Sequence, residues 1–140
     1  MRVREAEPGD AAGLARLLTD LGYPLEEDAV RARLAAVRDE SRVLVAEEGG
    51  PPAGVVASHR LPVLEHDRPV CLVTVLVVAP GMRRRGVGRL LMDAVERDAR
   101  ETGCGRVVVG TAHHRTSAHA FYRARGYDDT GLRFQKPLRN

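Results

Sequence analysis

The stretch "TVLVVAPGMRRRGVGRLL", Thr74–Leu91, decides how this chain is read. An unbroken apolar run stops at a Pro-Gly turn, three arginines follow, then Gly86-Val87-Gly88, then a leucine-rich segment. The run belongs to "VCLVTVLVV", apolar on both faces, as a strand in the middle of a covered sheet should be. Beyond Gly86, the spacing of Val87, Leu91, Ala94, Val95 and Ala99 predicts one inner face of a helix that Gly103 ends. A buried strand therefore runs through a cationic, glycine-bearing turn into a helix.

Working outward, "VREAE" at Val3–Glu7 reads as a short first strand. A helix follows, with Asp10 placed to cap it, Ala11, Leu14, Leu17, Leu18 and Leu21 at helical spacing, and Gly22 to end it. A second helix is expected from about Leu25 to Asp39, with Val30, Leu34 and Val37 on one face. "RVLVAEE" and "AGVVASH" read as a hairpin joined by "GGPP", and residues 60–69 as a polar loop. After the central strand and its helix come "RVVVGT" as a buried strand, a helix near Thr116–Arg125, and a final strand pair around "GYDD" and "LRFQKPL". The expected fold is α/β (α+β by some schemes): a mixed central sheet of about seven strands with helices on both faces, in the order β-α-α-β-β-β-α-β-α-β-β.

With 140 residues, one domain spanning 1–140 is the economical expectation, and a chain of that length buries roughly 70% of its unfolded surface. No stretch approaches the roughly 20 apolar residues of a membrane span, so no membrane partner is expected. The opening "MRVREAEPGD" lacks the apolar core of a secretory signal, and the expected location is cytoplasmic. Cys71 and Cys104 lie far apart and outside any Cys-x-x-Cys spacing, which argues against a disulfide framework and a zinc site. Lys136 is the only lysine, so the positive charge is nearly all guanidinium; net charge is only +3 and aromatics are few, a poor base for nucleic-acid binding.

The first turn of a helix leaves its N–H groups without partners, and their partial positive charge makes an anion site. Gly86 and Gly88 carry no side chain to block that backbone, and Arg83, Arg84, Arg85 and Arg89 surround it with charge. These features suit a pyrophosphate. Two familiar phosphate motifs fail: position 91, where a dinucleotide fingerprint needs a third glycine, is Leu91, and the Gly-Lys-Ser/Thr of a P-loop is absent. On Gly-x-Gly alone, a glycine-rich turn decorated with solvated arginines is the better-favoured reading.

Arg83-x-x-Gly86-x-Gly88, directly after "LVVAP" and opening a helix, resembles the acetyl-CoA-binding motif of the GCN5-related N-acetyltransferase (GNAT) superfamily. The late segment "SAHAFYRARGYDDTGLRFQKPL", Ser117–Leu138, is similar to the second hallmark of that family through Ala118, Phe121-Tyr122 and Gly126-Tyr127. Its "AH-x-FY-x-x-x-GY…RF-x-K-x-L" pattern resembles the branch that includes aminoalkylphosphonate N-acetyltransferases. The resemblance implies acetyl-CoA as cosubstrate and direct transfer of acetyl to a primary amine of a small molecule in a ternary complex. It implies that Leu76, Val77 and Val78 offer backbone groups to pantetheine in a gap where the strand splays from its neighbour. It further implies that the main chain over Arg83, Arg84, Arg85, Gly86, Val87, Gly88 and Arg89 holds the pyrophosphate. A strand amide near Val77 or Val78 would polarise the thioester carbonyl.

Tyr122 matches the tyrosine that commonly protonates the departing thiolate in this family. The chemistry is sound, since a phenol of pKa about 10 and a thiol of about 8.5 exchange a proton without a large penalty. No carboxylate stands on "CLVTVLVV", where many relatives have a glutamate base; Val75 occupies that place. His59, Glu65, His66 or Asp67, directly or through water, remain open as bases, as does an amine that arrives neutral. His113, His114 and His119 have no spacing that compels a metal site, and no metal is expected. A covalent acetyl-enzyme on Cys71 or Cys104 lacks an evident base partner. The acceptor would enter between Leu21–Pro24 and the loop around His59–Arg68, where Arg60 and Arg68 suit an anionic group. Other readings are a non-catalytic CoA-binding module and an acetyltransferase for a protein N-terminus or lysine; homodimer pairing through sheet edges or the C-terminal strands is compatible with this fold.

Overall fold

The computed structural model describes residues 1–110, 116–130 and 134–138. The chain divides into two compact units, Met1–Val109 and Gly110–Asn140. The first unit holds β1 (Arg2–Glu5), α1 (Ala11–Leu21), α2 (Glu27–Ala35), β2 (Ser41–Glu47), β3 (Gly54–Leu61), β4 (Val70–Val78), α3 (Val87–Glu101) and β5 (Arg106–Val109). The second holds α4 (Thr116–Ala124).

The strands lie side by side in chain order, β1 to β5, antiparallel except for the parallel β4–β5 pair. Period-2 alternation sorts their side chains between two helical layers. Val45, Val55 and Val77 pack with Ala11, Leu14, Leu17 and Val30 of α1 and α2. On the opposite face, Gly54 brings the sheet against α3: a Cβ there would lie 2.9 Å from Val87 Cγ1 and 3.1 Å from both Leu91 Cδ1 and the Val77 carbonyl oxygen. Val87, Leu91, Ala94, Val95 and Ala99 are all buried, as their spacing predicts, and Met92 joins them.

A β-bulge sets the geometry of β4. Ala57 pairs with Val75, but the next residue, Ser58, pairs with Val73, leaving Thr74 as the extra residue. The bulge flips the parity of the strand. Val73 therefore shares the α3 side with its partner Ser58, while Val75 and Val77 face α1 and α2. A strand that is apolar at nearly every position can serve both layers in this way.

Several expectations need correction. The described sheet has five strands rather than about seven: Tyr127–Thr130 and Phe134–Leu138 adopt no strand, and 131–133 lie outside the described residues. A strand needs a ladder partner, and without one Phe134 and Leu138 stay exposed. The second helix stops at Ala35, so Val37 is exposed, and β3 takes in Arg60 and Leu61, previously assigned to the loop. Asp10 stands at the N-cap of α1 without a side-chain capping bond. Its carboxylate instead accepts from Arg4 Nη1 and Nη2 (2.8 and 2.9 Å) and from the Glu7 N–H (2.7 Å), fastening a short 3-10 turn, Pro8–Asp10, to β1. Arg4 and the Glu7 amide hold that carboxyl below the usual carboxylate range, against the opposing effect of burial.

Candidate active site

The site begins where the described pairing of β4 with β5 ends. β4 and β5 pair only over Val70–Val73 and Arg106–Val109; among the described residues Val75–Val78 have no β5 partner. Among the described residues this pairing ends at Val73 and Val109, one residue before the bulge at Thr74. The Ala79 N–H donates to Ala53 O (2.8 Å), on the β3 side. Alternation then turns the backbone groups of Val77 towards β3 and those of Leu76 and Val78 away from it. Arg83 Nε lies 3.4 Å from Val78 O. Of the three expected pantetheine contacts, Leu76 and Val78 carry available main-chain groups, whereas Val77 is committed to the sheet and core.

After β4, Pro80–Met82 make one 3-10 turn, and the backbone then changes hand twice. Arg84 has φ 66°, the one positive φ outside glycine among the described residues, and Gly86 has φ 80° as N-cap of α3. A left-handed arginine costs about 1 kcal/mol or slightly more. The Leu90 N–H is the first to bond within the helix, to Gly86 O at 3.0 Å. The N–H groups of Gly86, Val87, Gly88 and Arg89 are those a helix leaves over. No side chain caps them, no acidic residue stands in the first turn, and nothing lies within 4 Å of where a Gly86 Cβ would be. Arg83, Arg84, Arg85 and Arg89 are all exposed around this start. An uncapped, cation-ringed helix N-terminus suits a phosphate group such as those of CoA.

The second unit presents Tyr122. Gly126, at φ 88°, ends α4, and the Tyr127 N–H returns to Tyr122 O at 3.0 Å. Tyr122 meets Phe121 and Tyr127 edge to face, with ring centroids 5.1 and 5.7 Å apart. The tail motif is therefore a single aromatic cluster that holds Tyr122. Tyr122 is only 9% exposed, and burial pushes its phenol up to about 12. A phenol so shifted stays protonated at neutral pH, the form a general acid needs.

Among the candidate bases, Glu65 and Asp67 are exposed on the loop after β3 and His66 is half-buried there. His59 lies on β3, its Nδ1 2.7 Å from Ser41 Oγ and its Nε2 3.0 Å from Thr74 Oγ1. Those two hydroxyls escaped the sequence reading, because only the strand register brings residues 18 and 15 positions away onto one imidazole. Cys71 is buried, and desolvation pushes its thiol up to about 11, unsuited to a nucleophile at neutral pH. It lines a cavity of about 40 Å³ together with Cys104. His113, His114 and Arg115 lie outside the described residues, and no described helix is long and apolar enough to cross a membrane.

The sequence model of the Acetyltransferase (GNAT) family matches residues 12–127. The chain belongs to this family: it is an N-acetyltransferase with acetyl-CoA as donor. It is 30% identical to the aminoalkylphosphonate N-acetyltransferase of Salmonella typhimurium, over 87% of this chain and 78% of the relative. It is also 30% identical to an aminoglycoside N(6')-acetyltransferase type 1 of Stenotrophomonas maltophilia, over 97% and 93% of the two chains. An aminoglycoside N-acetyltransferase solved with CoA shares the fold, with a TM-score of 0.84 at 22% identity over 99% of this chain and 95% of the other.

Proposed function

We propose that this enzyme moves the acetyl group of acetyl-CoA directly to a primary amine of a small, polar molecule, with both substrates bound together. The observation that carries the reading is the start of α3: an uncapped helix N-terminus ringed by exposed arginines, reached directly from β4. Leu76 and Val78 would bond the pantetheine arm, and the N–H groups from Gly86 to Arg89 would hold the pyrophosphate within the arginine ring. Tyr122 would give its proton to the sulfur as the C–S bond breaks. That donation is worth about 10²–10⁴ in rate where it operates. The match over 12–127 crosses the boundary between the two units, which supports one catalytic domain. Relatives named for aminoalkylphosphonates and aminoglycosides support a small-molecule acceptor over a protein.

The test is release of free CoA from acetyl-CoA against aminoalkylphosphonates, polyamines, aminoglycosides, amino acids and N-terminal peptides, with wild type and Tyr122→Phe. Release with one small-molecule class, reduced about 100-fold in the variant, is the expected result. Release with peptides alone would assign the acceptor to proteins. Tight CoA binding without release for any amine would make the chain a binding module.

A further inference from the structure

An alkyl amine reaches an enzyme mostly as its ammonium ion and must lose a proton before it can attack. β4 carries no carboxylate to take that proton. We infer that Thr74 and His59 take it together, the threonine hydroxyl passing the amine's proton to the imidazole. This inference rests on the acetyl-transfer reading above.

Three observations converge on it. Thr74 is the bulge residue of β4, four residues, or roughly 13 Å at a strand's rise, from Val78 at the end of the strand that leads to α3. A pantetheine arm running along β4 from the α3 end would bring its thioester towards Thr74. Thr74 is also exposed, while its Oγ1 keeps a 3.0 Å contact with His59 Nε2. Ser41, directly opposite His59 on β2, holds the other nitrogen at 2.7 Å. The imidazole is thus fixed at both ends, and one of those ends opens on the site. The loop carrying Glu65, His66 and Asp67 joins β4 at Val70, about 13 Å along the strand from Thr74.

The proton balance is complete. In the tautomer that donates Nδ1–H to Ser41 Oγ, Nε2 accepts from the Thr74 hydroxyl. The ammonium donates to Thr74 Oγ as the hydroxyl proton passes to Nε2, leaving a neutral amine, an intact hydroxyl and an imidazolium. The amine nitrogen then bonds to the thioester carbonyl carbon, the C–S bond breaks, and Tyr122 supplies the proton taken up by sulfur. The second amine proton and the imidazolium proton leave to water and to the tyrosinate, which restores the enzyme.

The experiment compares kcat/KM for an alkylamine with that for an alkoxyamine, which is already neutral at the assay pH, in wild type, His59→Gln, Thr74→Val and Thr74→Ser. Proton transfer by a positioned group is worth about 10²–10⁴-fold. His59→Gln and Thr74→Val should therefore lose about 100-fold or more with the alkylamine, yet less than about 10-fold with the alkoxyamine. Thr74→Ser, which keeps a hydroxyl, should recover most of the rate that Thr74→Val loses, and added imidazole should restore part of the rate to a further variant, His59→Gly. CoA affinity, measured by calorimetry, should be unchanged in each variant and would report a folding defect. Equal losses for both amines would make the pair merely structural and overturn the inference, as would undiminished alkylamine turnover. Wild-type failure with every amine would instead overturn the acetyl-transfer reading on which it stands.

Discussion

Burial keeps the Tyr122 phenol neutral, and that has a consequence for stability as well as for chemistry. Its pKa rises from an ordinary value of 10.0 to about 12 because the phenolate would be desolvated. The folded state therefore binds the proton more tightly than the unfolded chain. The sign follows from linkage: the contribution is complete below pH 10, where both states are protonated, and is lost as pH rises from about 10 to about 12. Its size is on the order of 2 to 3 kcal/mol. Wild type should lose that much stability relative to Tyr122→Phe across this window, measured by urea unfolding at successive pH values. Parallel pH curves for the two proteins would mean that water reaches the phenol. For the proposed acid role the shift is a cost, since a phenol raised to about 12 yields its proton to a thiolate less readily than an ordinary phenol of about 10 would.

At the scale of elements, the spacing between sheet and helix α3 places the turn proposed to hold the cofactor, and Gly54 sets that spacing. A methyl group there would press on Val87 Cγ1 and Leu91 Cδ1 and on the backbone oxygen of Val77, which cannot rotate away. Gly54→Ala should cost about 1–3 kcal/mol in urea unfolding, the usual range for overpacking. Because Val87 opens α3, the KM for acetyl-CoA should rise more than kcat falls. An unchanged unfolding midpoint would show that α3 is free to shift outward. Gly54 also illustrates what the sequence makes legible. β4 was readable to the residue because a polar loop and a Pro-Gly turn bound its apolar run, and α3 because five inward residues keep one period. The bulge at Thr74 was not readable, since a strand apolar on both faces hides a change of parity. The second helix was overextended for a related reason: Val37 continues the pattern of Val30 and Leu34, but β2 starts at Ser41 and no packing partner rewards another turn. The turn between β4 and α3 was legible because its glycines and arginines are local in sequence. The His59 contacts were not, because they depend on the register of three strands.

For the molecule as a whole, charge placement matters more than charge total. Net charge is only +3, yet Arg83, Arg84, Arg85 and Arg89 stand exposed within seven residues at one helix start. Several carboxylates neutralise arginines elsewhere: Asp10 holds Arg4, Glu47 holds Arg2, and Asp98 holds Arg42. Among the described residues, none of the four turn arginines takes part in an ion pair. Such a local field attracts a polyanionic ligand over a distance set by salt, about 10 Å at 0.1 M ionic strength and 3 Å at 1 M. The kcat/KM for acetyl-CoA should therefore fall about threefold to tenfold between 0.05 and 0.5 M KCl, with little change in kcat at saturation. Replacing Arg83 and Arg85 together by Gln should lower the value at low salt and flatten its salt dependence. Arg84 is left in place in that variant because its left-handed backbone would confuse loss of charge with relief of strain. Equal salt slopes in wild type and variant would mean that the helix N-terminus alone holds the phosphates and that the arginines are solvated decoration.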